Sequence, residues 1–317
     1  MRPVVSVVMA NYNGAAWLEP AIASVLGQAL DDLELIIVDD ASSDDSLGVM
    51  KTAAAGDSRV RVIVQPANAG PGAARNRALD AAEGRWIAVV DSDDLMDPDR
   101  LSTLVARGDQ DGADIVVDNL AVFESGAPQR AQPFLHWRDA RWIDLEAYLA
   151  SARMYSKRPG LGYLKPLFRA AALGATRYRE DLRIGEDYDL VVRLLVQGCR
   201  LRFDPASGYH YRRHGSSISH TMRRDHLLQM LAADGALEGV MMSQPKAVRS
   251  AFAARRRSLH AALAYDDVIA RLKARDLAGG LAAGLSAPEA WPLLTMPVTA
   301  RLKRLAARVM PQAAATT

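Results

Sequence analysis

The stretch 86-WIAVVDSDD-94 decides how the chain is read. Five consecutive apolar residues, Trp86 to Val90, suit a strand buried on both faces, and the run stops at Asp91, Ser92, Asp93 and Asp94. Carboxylates two apart at the carboxyl end of a strand can converge on one hard divalent cation. Open α/β sheets bind their ligands at that edge. The same acidic run also suits a helix cap and turn, so its neighbours must decide.

Outward from this stretch, further short apolar runs lie over 4–9, 33–38, 60–64 and 114–117, with Ala-rich helical segments over 15–28, 44–54, 73–82 and 98–107. This alternation predicts a mostly parallel sheet with crossover helices. Ser43 is placed to cap the second helix, with Asp44 and Asp45 in its first turn, and Asp97-Pro98 suits the cap and first position of the fourth. A further helix is expected over 187–196, then two short strands over 201–203 and 209–211. Beyond residue 220 the texture changes to Ala, Leu and Arg at helical spacing, with helices expected over 247–274 and 298–310 and a capping box at 286-SAPE-289.

With 317 residues, 50% of them hydrophobic and 24% charged, the chain suits a soluble protein with one large domain and a smaller appendage. An aromatic content of 6% argues against a nucleic-acid binder that stacks bases. The single cysteine, Cys199, allows no intramolecular disulfide, so the cytoplasm is the expected compartment. Neither a secretory leader nor a membrane span is expected, because no run of ~18 residues is free of charges and helix breakers. The net charge of +2 divides into 25 basic against 30 acidic residues up to residue 215 and 14 against 7 after it. An acidic front domain repels an anionic substrate unless a divalent cation stands between them, and a basic tail suits an anionic lipid surface. Two ordinarily solvated surfaces would give the same counts.

Five more segments join the acidic strand end. In 38-VDDASSDDS-46, Asp39 and Asp40 follow the second strand, and in 10-ANYNG-14, Asn11 and Asn13 offer amides beside the flat face of Tyr12. Polar groups at three neighbouring strand ends make a nucleotide pocket. The segment 68-NAGPGAARN-76 sets Gly70 and Gly72 before a helix carrying Arg75, an arrangement that favours anionic groups. It lacks the third glycine of a dinucleotide fingerprint. In 184-IGEDYDL-190, Glu186, Asp187 and Asp189 are either cleft carboxylates able to take a proton or acidic decoration of a helix start. Finally, 209-YHYRRHGSSIS-219 gathers His210, Arg212, Arg213 and His214, which suit a metal or a phosphate.

Taken in order, ANYNG, VDDASSDDS, NAGPGAARN, DSDD, GEDYDL and YRRHGSSIS resemble glycosyltransferase family 2 over about residues 4–219. The resemblance implies the GT-A fold, an α/β Rossmann-like sheet with flanking helices, as a catalytic domain over 1–219, followed by a helical basic region over 220–317. It implies that Asn11 and the Asp40 turn meet the uracil end of a UDP-sugar, with Asn13, Asp39, Gly70, Arg75 and Ser92 completing the nucleotide set. Asp91 would face the ribose or a cation, Mg or Mn, with Asp93 binding that cation and His214 beside it. Asp187 matches the family's general base, with Glu186 next to it.

The implied reaction is an inverting single displacement onto a hydroxyl of a carbohydrate or lipid-linked saccharide acceptor, as in bacterial exopolysaccharide synthesis. The irregular segment 122–183 would carry the acceptor-side loops. The chain has no QxxRW motif, so addition of one or a few sugars is expected. The basic C-terminal region lies outside the family motifs. Val298, Leu302, Leu305 and Val309 fall on one helical face among Arg301, Lys303, Arg304 and Arg308, which suits either peripheral docking on an anionic membrane or packing, including homo-oligomerisation. A sugar nucleotidyltransferase would share the sheet but opens on a Gly-rich basic loop, which ANYNG is not. A catalytically inactive nucleotide-sugar-binding scaffold is the other alternative, yet all the expected carboxylates are present.

Overall fold

In the computed structural model, which describes residues 2–125, 131–215 and 222–294, the apolar runs form the strands of a single sheet. The first half alternates strand and helix: β1 (Val5–Asn11), α1 (Ala15–Leu26), β2 (Leu33–Asp39), α2 (Ser46–Gly56), β3 (Val60–Val64), α3 (Pro71–Ala81) and β4 (Trp86–Asp91). Then follow β5 (Leu95–Met96), α4 (Arg100–Asp111), β6 (Ile115–Glu124), β7 (Gln132–Pro133), β8 (Arg141–Ile143), α5 (Leu145–Ser151), β9 (Leu167–Arg169), α6 (Ala170–Leu173), α7 (Glu186–Val196) and β10 (Leu201–Arg213). The chain continues through α8 (Arg224–Ala236), α9 (Glu238–Met242), α10 (Lys246–Lys273) and α11 (Leu277–Ser286).

The main path of the sheet runs β3-β2-β1-β4-β9-β6-β10-β5. The first four strands are parallel, and register brings their carboxyl ends level: Ala10 pairs with both Val38 and Asp91, and Asn11 pairs with Asp39. Val7, Ile36, Trp86 and Val89 are fully buried, as expected for strands covered on both faces. β9 then enters antiparallel between β4 and β6. The two short strands expected over 201–203 and 209–211 are one strand, β10, whose register against β6 shifts between Asp204 and Tyr209.

Several helix starts differ from expectation because acidic side chains serve tertiary contacts. α2 begins at Ser46, after neither a Ser43 cap nor an acidic first turn; Asp44 accepts from the amides of Ser46 and Ala15 and so ties this loop to the start of α1. α4 begins at Arg100, and the Asp97 carboxylate faces His210 at 2.7 Å. At 286-SAPE-289 no capping box forms, because Ser286 ends α11 and its hydroxyl donates to the carbonyl of Ala283. α3 starts two residues early, at Pro71, a position that suits proline because the first helical N–H has no partner.

The C-terminal helices contact the elements before them. Arg255 on α10 pairs with Asp234 on α8 at 3.1 Å, donates to the carbonyl of Ala152 at 2.7 Å and lies 3.7 Å from the centre of the Tyr188 ring. Leu227, Met230, Leu259 and Ala262 form a small second core there. The boundary expected between 219 and 220 and the helix expected over 298–310 lie outside the described residues. Among the described residues, no helix is long and apolar enough to cross a membrane.

Candidate active site

At the ends of β1 and β2 the asparagines and aspartates build the loop walls. Asn11 donates its amide to Asp39 at 3.4 Å and to Ser42 at 3.3 Å. Asn13 takes the left-handed conformation, φ 51°, that its short amide tolerates, and its Oδ1 accepts from the Ser43 amide at 2.7 Å. The buried Asp40 accepts from Gln65 Nε2 and from the amides of Ala69 and Gly70 at 2.6–2.8 Å, so its carboxylate fixes the loop leading into α3. Gly70, at φ 96°, and Gly72 allow that loop to approach Arg183 and Arg179. Ser92 sits against Gly14, where a Cβ would fall 3.2 Å from its Oγ. Asn11 Oδ1 is buried without a hydrogen-bond partner among the described residues.

At the end of β4 three carboxylates share two buried cations. Arg75 donates to Glu186 at 2.7 Å and to Asp91 at 2.8 Å, and its Nη1 stands 3.6 Å from Asp187 Oδ1. Lys165 Nζ lies 2.6 Å from Asp91 Oδ2 and 3.3 Å from Asp187 Oδ2. Burial alone would raise the Asp91 carboxyl, but Lys165 and then Arg75 outweigh it and hold the group well below the ordinary carboxylate range. Burial, and then the charge of Asp187, pushes Glu186 above its ordinary value. Glu186 and Asp187 open α7 behind Gly185, whose φ of 91° lets the chain turn into the helix. Asp189, the third acid of that motif, faces Arg193 at 2.8 Å.

The DSDD turn makes a second acidic centre. Asp93 Oδ2 stands 2.8 Å from His214 Nε2, whereas His210 faces Asp97. Asp94 is buried and accepts from the Tyr209 hydroxyl and the Arg212 amide at 2.8 Å; burial, then Asp93 and Asp91, raises it well above the carboxylate range. The Arg212 guanidinium lies 4.8 Å from the ring centres of both Trp17 and Phe123 and donates to the Asp93 carbonyl. This stack fixes the turn from beneath. Oxygens of Asp91, Asp93 and Asp94 come within 4.8 Å of one another. Beside His214 opens a groove of about 640 Å³ lined by Phe134, Tyr163, Tyr211, Arg158 and Arg213.

Every site residue expected from sequence thus lies along the carboxyl edge of the sheet or at the elements facing it. Lys165 was not among them. Its only sequence signal is a lone cation in 161-LGYLKPLF-168, an otherwise apolar stretch.

The family model described as glycosyl transferase family 2 matches residues 6–170. The succinoglycan biosynthesis protein ExoO of Rhizobium meliloti (strain 1021) is 39% identical over 315 residues, covering 96% of this chain and 88% of that protein. ExoU of the same organism is 35% identical over 243 residues, covering 74% and 69%. Among solved structures, S. aureus TarS 1–349 in complex with UDP-GlcNAc superposes with a TM-score of 0.63 at 18% identity, covering 92% of each chain. The mannosyltransferase PcManGT from Pyrobaculum calidifontis, in complex with GDP-Man and Mn2+, gives 0.60 at 18% identity, covering 95% of this chain and 81% of its own. The structures share the fold, and the family match with the near full-length likeness to ExoO gives the family: the chain belongs to glycosyl transferase family 2 and is a glycosyltransferase built on the GT-A fold.

Proposed function

We propose that the protein transfers a sugar, with inversion, from a UDP-sugar to a hydroxyl of a lipid-linked saccharide during assembly of a bacterial surface polysaccharide. The observation that carries this reading is the meeting of two acidic centres at one sheet edge, Asp93 with His214 and Asp187 with its cations. The succinoglycan names of the relatives support the polysaccharide, and the UDP-GlcNAc bound by TarS supports the donor class.

The carboxylates of the DSDD turn suit a hard ion, Mn2+ or Mg2+, the former being the ion named for PcManGT, and the imidazole of His214 is hydrogen-bonded to one of them at 2.8 Å. Both Asp91 oxygens face cations, so Asp93 and His214 would hold the ion. When bound, that ion offsets the charge growing on the departing diphosphate. Asn11, Asn13, Asp39, Asp40, Gly70 and Ser92 shape the nucleotide pocket, and Arg75 braces its floor through Asp91. Asp187, tied to Asp91 through Lys165 and Arg75, would take the acceptor's proton. The deprotonated oxygen attacks the anomeric carbon opposite the diphosphate, and the configuration inverts.

The C-terminal helices would rest the enzyme on the cytoplasmic membrane face. In support, α11 leaves Leu277, Leu281 and Leu285 64–70% exposed at a spacing of four, and Trp291 follows at 51%. A thermal-shift screen of nucleotide sugars with and without Mn2+ tests the donor, since a ligand that binds only the native state raises its stability. UDP-sugars should stabilise the chain only with the metal; stabilisation by GDP-sugars alone would replace the donor assignment.

A further inference from the structure

Lysine is almost never buried unless paired, and Lys165 is only 5% exposed. Its main chain is locked into the sheet. The Lys165 carbonyl accepts from Arg100 Nη2 at 2.7 Å, and Arg100 is itself paired with the buried Asp118 at 2.8 Å. The next carbonyl, of Pro166, accepts from the Val89 amide in β4. The ammonium therefore projects from a fixed base, and it meets two carboxylates from different elements, Asp91 at the end of β4 and Asp187 at the start of α7.

Packing alone does not explain a charge here. Arg75 already pairs with Asp91 through Oδ1, and an apolar side chain of similar length would avoid the desolvation of an ammonium. What the second cation adds is orientation. It takes Asp91 Oδ2, so that both oxygens of that carboxylate are fixed, and it takes Asp187 Oδ2 while Arg75 Nη1 stands 3.6 Å from Oδ1, so that Asp187 is held between the two cations.

We infer that Lys165 is a positioning residue for transfer: its ammonium holds the carboxylate of the donor edge and the base at one spacing and in one orientation. This inference rests on the reading of Asp187 as the base. A misplacement of about 1 Å at a reacting group costs on the order of 100-fold in rate, so the expected signature is in turnover and not in donor binding.

The test uses the full chain with Mn2+ and the UDP-sugar giving the largest thermal shift, following UDP release to water. Wild type, Lys165→Met, Lys165→Gln, Lys165→Arg and Asp187→Asn are compared, with UDP affinity measured by calorimetry for each. Lys165→Met and Lys165→Gln should lose about 100-fold in kcat. Donor KM and UDP affinity should stay within about twofold, and Lys165→Arg should recover part of kcat by restoring the charge. The Gln variant carries the test if the Met variant does not fold. Wild-type kcat in both neutral variants, with Asp187→Asn inactive, overturns the role of Lys165 and leaves the base standing. Parallel loss of kcat and UDP affinity overturns it in favour of donor binding. Full activity of Asp187→Asn overturns the base and this inference together.

Discussion

His214 Nε2 stands 2.8 Å from the Asp93 carboxylate although 121 residues separate the two, and the contact closes the end of β10 onto the turn after β4. Two aromatic contacts support it. The Trp17 ring lies 5.4 Å from the imidazole, and the guanidinium of Arg212 lies beneath between Trp17 and Phe123. An imidazole held this way beside a carboxylate is oriented before any cation arrives, which reduces the entropy lost on binding.

The first prediction concerns that pair. Asp93→Ala and His214→Ala should each weaken Mn2+-dependent UDP binding by about 10- to 100-fold, a loss typical when a contact that orients or ligates a metal is removed. Titration calorimetry with Mn2+ and with EDTA checks it. Without the metal both variants should bind UDP as the wild type does.

Arg75 carries a different prediction, one of stability. Its side chain is buried and pairs with Asp91 and Glu186, with Asp187 at 3.6 Å. Removing one member of a buried ion pair typically costs about 3–5 kcal/mol, because the remaining charges lose compensation. Arg75→Met should therefore lower the unfolding midpoint strongly in a denaturant titration. An unfolding free energy within about 0.5 kcal/mol of wild type would mean that Lys165 alone suffices to hold the three acids.

The strands carrying this arrangement are legible in sequence because β1, β2 and β4 are buried on both faces and read as continuous apolar runs. β9 is not. Its three residues, Leu167 to Arg169, have no period of their own, and their place between β4 and β6 is a tertiary fact. β10 reads as two strands because 205-PASG-208, at the register shift, has the composition of a turn. The DSDD and GEDYDL acids announce themselves by clustering at strand and helix ends. Lys165 gives no such signal, since its two partners reach it only through folding. Asp44 and Asp97 mislead in the opposite sense, as cap-like residues whose carboxylates hold other segments.

For the C-terminal helices the prediction is physical association with lipid. Changing Leu277, Leu281 and Leu285 to Glu alters an exposed face of α11, so the fold should survive. Co-sedimentation of the full chain with anionic vesicles at low salt should fall to the level seen with neutral vesicles. Unchanged partitioning would remove α11 from membrane docking and turn attention to a second copy of the chain as its partner.

The central claim is that this sheet edge cleaves a UDP-sugar with the help of a cation held by Asp93 and His214. The most direct measurement is UDP release from a panel of UDP-sugars by the full chain in Mn2+, in EDTA, and by Asp93→Ala in Mn2+. The account predicts release from at least one donor in Mn2+, abolished by EDTA and by the substitution. Release that persists at the same rate in EDTA, or in Asp93→Ala, would contradict it.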